Sequence, residues 1–231
     1  MIHDLPLWIV ALFIMSTLIA VGIFQYATKK GAFSSNATKF LSVAIPFQLI
    51  FQATVAVTGF YQKTDGLPPR LVIFGILPTV LTIIGLFVFA QDFVLRLPLQ
   101  TLTIIHLVRL PIELILHGLY RHGQIPRLMT YEAGNLDILV GITAPVIYWL
   151  AFRREKINRP LLLGWNLLAL ASLINIVARA LLAFPSPLQQ IAFDQSNRAV
   201  AYFPFVWLPT VVVPVILFAH LASLRQLRRK R

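Results

Sequence analysis

Runs of about twenty apolar residues recur along this chain, separated by short polar connections. No other feature limits the fold as much. A helix needs ~20 mainly apolar residues to cross a bilayer, and inside lipid only helices and closed barrels satisfy every backbone group. The runs predict spans at about 7–27, 41–61, 71–90, 98–120, 136–152, 161–183 and 200–224. The expected fold is therefore all-α: a polytopic transmembrane bundle of about seven helices, forming one integral membrane domain over 1–231. Only 12% of the residues are charged, about half the share of a soluble domain, which leaves little for a separate soluble unit. The first run lacks a basic leader and a small-residue cleavage site, so it reads as a retained helix.

The formal net charge is +12. In a soluble chain that excess would point first to nucleic acid. Here the basic residues lie between spans and at the C-terminus, where they orient helices and meet anionic headgroups, so no nucleic-acid partner is expected. The side of the N-terminus carries Lys63, Arg70, Arg121, Arg127 and Arg198. The other side carries Lys29, Lys30, Lys39, Arg96, Arg153, Arg154, Lys156, Arg159, Arg225, Arg228, Arg229, Lys230 and Arg231. This asymmetry predicts an N-terminus outside and a cytoplasmic C-terminus, in a multi-pass plasma-membrane protein whose compact connections suit a bacterial inner membrane. The closing RQLRRKR is expected to lie on the cytoplasmic surface against anionic lipid.

One span departs from pure apolarity. Residues 98–120 carry His106, Arg109, Glu113, His117 and Tyr120, which fall within roughly 80° of one helical face at about 100° per residue. Ionisable groups inside a span cost ~3 kcal/mol on insertion scales and turn toward the protein interior or a cavity. This helix should therefore be central. At ~1.5 Å per residue, Glu113 and His117 lie roughly 6 and 12 Å outward of Arg109, and Asn175 and Arg179 roughly 4 and 10 Å outward of the middle of span six. Matched depths predict that Glu113 meets both arginines. The outer loops add Glu132, Asn135 and Asp137. Arg109, Glu113, His117, Asn175, Arg179, Glu132 and Asp137 are thus the candidate ligand-binding residues, around a polar cavity open to the outside. A buried ion-pair network that only fixes helix register is the competing account of the same residues.

A metal set would combine Glu113 and His117 with His122, Glu132 or Asp137. The i,i+4 spacing arises cheaply by chance, and Arg179 would oppose a cation, so neither metal nor cofactor is expected. A haem would need His106 or His117 opposite His220, which this reading puts well nearer the cytoplasm. The chain has no cysteine, which removes thiolate sites and cysteine nucleophiles. Seven spans also characterise retinal proteins and receptors, but the last span has no lysine, and neither DRY nor NPxxY occurs. The GxSG and HExxH protease signatures and nucleotide fingerprints are missing as well. The functional expectation is binding or transport of a small anionic or amphiphilic ligand. The alternatives are an enzyme on a lipid-like substrate, with Glu113 or His117 as acid/base, and a non-catalytic subunit of a membrane complex.

Overall fold

The computed structural model describes Ile2, residues 5–154 and residues 156–229. It is all-α, with no strand among the described residues. Six helices are long and apolar enough to cross a membrane: α1 (Leu7–Ala32), α2 (Asn36–Val57), α3 (Val72–Phe89), α5 (Leu99–Arg121), α7 (Arg159–Leu182) and α8 (Leu208–Arg228). A short α4 (Gln91–Arg96) links α3 to α5, and α6 (Asp137–Phe152) is apolar but only 16 residues long. The fourth, fifth, sixth and seventh expected spans correspond to α5, α6, α7 and α8.

Local chemistry moves several boundaries from where hydropathy alone put them. α1 runs on to Ala32, so Lys29 and Lys30 sit in its last turn and not in a loop. Ser35 caps α2 by accepting from the Thr38 amide at 3.0 Å, and the Thr38 hydroxyl donates back to the Ala32 carbonyl at 2.6 Å. That pair of bonds closes the turn early and draws Lys39 into the helix. At the other end, α8 begins at Leu208 and not near 200. Pro204 and Pro209 bar a continuous helix through 200–207, and Pro209 instead occupies the first, π-helical turn. The helix also runs past 224 into the basic tail: Arg225 and Arg228 belong to α8. Arg225 donates to the Phe87 carbonyl and Gln226 to the carbonyls of Val94 and Leu97. The tail belongs to the packing as far as Leu227, Arg228 is exposed, and Lys230 and Arg231 lie outside the described residues.

The bundle exposes large apolar side chains and buries a set of polar ones within its apolar core. Phe47, Ile50, Phe89 and Leu168 are exposed, whereas Gln52, His106, Arg109, Glu113, Asn166 and His220 are buried. Burial ranks the helices: 67% of the apolar window of α5 and 61% of that of α8 are buried, against 17% for α2 and α3. The helix with the polar face is therefore central, as the cost of intramembrane charge requires. Within α5 the stretch Ile105–Val108 tightens to a 3-10 turn, just before Pro111 removes a backbone donor.

The basic connections gather at one end. Arg159 donates to the carbonyls of Gln226 and Leu227, Gln226 reaches the α4 end, and the last turn of α1 touches Arg96, whose carbonyl oxygen would lie 2.6 Å from a Cβ on Gly31. The opposite end holds the segments 122–136 and 183–207, joined where Gln195 donates to the carbonyls of Tyr120 and Ile125.

Candidate functional site

The segment 122–136 does not stay at the surface. Met129, Thr130 and Asn135 are buried, and Asn135 Nδ2 donates to Glu113 Oε1 and to the Met129 carbonyl. Glu113 lies eight residues before the end of α5, so the segment dips roughly 12 Å into the bundle. Its irregular backbone is tolerated at that depth because protein, not lipid, surrounds it. This descent explains why α6 is short: it starts well below the end of α5. Asn135 Oδ1 accepts from the Asp137 amide at 3.2 Å and so sets the first turn of α6. Asp137, expected in an outer loop, is thereby delivered to the middle of the bundle.

There it meets Arg109. Arg109 Nη1 lies 3.4 Å from Asp137 Oδ1 and donates to the Ala169 carbonyl at 3.3 Å. The Ser172 hydroxyl donates to the same Asp137 oxygen. A close helix approach makes the pair possible: a Cβ on Gly141 would stand 2.9 Å from the Leu110 backbone nitrogen, one turn beyond Asp137. Arg109 and Glu113 are 4% and 1% exposed, yet Arg109 Nε and Nη2 and Glu113 Oε2 have no protein partner.

Arg109, Glu113 and Asp137 are the charged residues that line a cavity of about 190 Å³, and they form its floor. Its walls come from α3, α5, α7 and α8, including Val72, Ile76, Leu173, Ile176, Val212 and Ile216. The walls are apolar and the polarity is confined to the floor, unlike the polar cavity expected from sequence.

The expected residues therefore separate. Arg109, Glu113 and Asp137 come together. Arg179 does not reach Glu113; its Nη1 donates to the carbonyls of Leu128 and Ala133 at 3.0 and 3.1 Å, pinning the descending segment. Asn175 is exposed on the outer side of α7, off the arc that carries Ser172. His117 and Glu132 form a separate rim, with His117 Nδ1 3.4 Å from Glu132 Oε1 and its ring stacked on Tyr131; Arg127 Nε lies 3.5 Å from the other Glu132 oxygen. Ser172 and Asn135 hold the two floor carboxylates without lining the cavity, and neither carries a distinctive sequence signal. His220 is not nearer the basic end than His106: their rings stack at 3.9 Å. The later start of α8 moves its centre toward His220 and accounts for the difference.

Residues 69–228 match a family model described as "Domain of unknown function (DUF8737)", and the chain belongs to that family. The match includes the whole floor and every wall of the cavity. No curated protein and no solved structure matches the chain.

Proposed function

We propose that this DUF8737 member is a seven-span membrane protein that binds a small amphiphile, with the apolar body in the α3–α5–α7–α8 cavity and the polar head on Arg109 and Glu113. The supporting observation is the pairing of apolar walls with two buried charged residues, Arg109 and Glu113, that together keep two donor nitrogens and one acceptor oxygen without a partner. Buried polar atoms without partners are rare in native proteins and call for an explanation; a head group that both accepts and donates would supply their bonds. Charge narrows the head. With Arg179 elsewhere, one cation faces two carboxylates, so a neutral or donor-rich head suits the floor better than a plain anion. The basic end of the bundle supports a cytoplasmic C-terminus, an outside N-terminus and contact with anionic headgroups, and the compact connections suit a bacterial inner membrane.

Dansyl-labelled undecanol, undecylamine and undecanoic acid test the reading by fluorescence titration of the purified protein. Saturable binding of the alcohol is expected, tighter than that of the acid. Arg109→Gln and Glu113→Gln should each weaken it about tenfold, since a hydrogen bond to a charged group is worth ~1.5–3 kcal/mol. Partition equal to that in empty micelles, or variants that bind like the parent, would reject the site.

A further inference from the structure

Buried side-chain polar atoms without partners are not scattered through the molecule. Apart from single atoms of Gln48, His117 and Asn197, those among the described residues lie on one line: Glu113 Oε2, Arg109 Nε and Nη2, both ring nitrogens of His106, His220 Nε2 and Ser223 Oγ. His106, Arg109 and Glu113 occupy successive turns of one α5 arc, a rise of about 10 Å. At the His106 level the line passes to α8. His106 stacks on His220 with centroids 3.9 Å apart and planes 22° from parallel, and Ser223 follows one turn on. Both imidazoles and Ser223 are at most 1% exposed.

Hydrogen bonding assigns the His220 tautomer. Asn166 spends its amide N–H on the Leu162 carbonyl, so its Oδ1, 2.9 Å from His220 Nδ1, is an acceptor. His220 Nδ1 therefore carries the proton and Nε2 presents a free lone pair. His106 has Trp165 edge-on at 5.3 Å and nothing on either nitrogen. Two neutral rings with free nitrogens are relay groups, and their position between a cavity carboxylate and the basic end is that of a membrane proton path.

We propose that Glu113, His106, His220 and Ser223 form a proton path from the cavity floor to the basic end of the bundle. His106 accepts a proton on one of its two free nitrogens and releases one from the other, whereas His220, whose Nδ1 proton stays in its bond to Asn166 Oδ1, takes up and gives back the proton at Nε2 alone. Water carries the proton between groups, so one proton crosses and no redox partner is needed. Two imidazolium rings face to face would repel, so the pair passes protons singly. The charged groups around the pair are Arg109 of α5, Asp137 of α6 and, farther along α8, Arg225; α7 presents Trp165 and Asn166, and α1 has no charged side chain before Lys29. The Arg109 cation, an obstacle to a proton, is offset by Asp137 at 3.4 Å. The path shares Glu113 with the amphiphile site but needs no amphiphile, so the two readings fail separately.

The experiment is proton flux into vesicles of phosphatidylcholine and phosphatidylglycerol holding the full-length protein. Valinomycin and a potassium gradient drive the flux, and internal pyranine reports it. Flux well above that of protein-free vesicles is expected. His106→Phe, which keeps a stacking ring and removes both nitrogens, should lower it at least about tenfold with an unchanged melting temperature. His220→Gln should do the same and serves if His106→Phe does not fold. Asn175→Ala, off the line, should conduct like the parent. Parent flux no greater than that of empty vesicles, or folded histidine variants that conduct like the parent, would overturn the path.

Discussion

Arg109 and Arg179 invite comparison because hydropathy treats them alike: both are arginines inside apolar runs, at depths that suggest a shared partner. Their surroundings differ in kind. Arg179 is bonded to backbone carbonyls of the descending segment and works as a strap. Arg109 has a carboxylate, one carbonyl and two free donors at a cavity. Depth does not tell the two arginines apart; what each guanidinium leaves unpaired does.

The largest expected effect strikes the floor. Asp137→Asn removes the carboxylate in contact with Arg109 and breaks a buried pair, a change that typically costs ~3–5 kcal/mol. Thermal melts in detergent should show a large loss. Adding Arg109→Met should recover some of it, because the cation that has lost its contact partner then disappears. A double mutant that melts lower than the sum of its single changes predicts would contradict the pairing.

A smaller loss is expected from Gly141→Ala. The new methyl would meet the Leu110 backbone nitrogen at 2.9 Å, and backbone cannot rotate away. Overpacking of this kind costs ~1–3 kcal/mol, and α6 should shift so that Asp137 draws back from Arg109. Gly164→Ala is the control. Nothing stands within 4 Å of its would-be Cβ, so the same substitution should raise stability by about 0.5–1 kcal/mol. A Gly141→Ala protein as stable as the parent would mean that the helices do not approach this closely.

Much of this comparison is legible in the sequence. The all-α class and the central place of α5 follow from apolar runs and from one helical arc that holds His106, Arg109, Glu113, His117 and Tyr120. The polar segment 122–136 carries no period, so nothing in it announces that Asn135 and Asp137 descend to meet Glu113 and Arg109. The His106–His220 stack is hidden by the start of α8. Extending that helix back to 200 misplaces its centre, and an error of a few residues at 1.5 Å each is enough to separate rings that in fact touch. Asn175 fails through rotation: three residues from Ser172 turn it about 60° off the buried face.

The smallest effect is the most direct test of the two-arginine contrast. Arg179→Gln gives up bonds to two carbonyls on a half-buried guanidinium, which should cost about 1–2 kcal/mol. Because the strap holds residues 127–135, their amides should exchange faster with solvent while those of α8 do not change. Glu113→Gln keeps the shape of the side chain and its contact with Asn135, and should weaken alcohol binding more than stability. Since Arg179 and Glu113 share no bond, the double mutant should be additive within ~0.5 kcal/mol. A coupling well above that would join the two arginines around one carboxylate after all. Additivity, with exchange confined to the strap, would leave Arg109 as the one arginine at the floor, with two nitrogens still unpartnered.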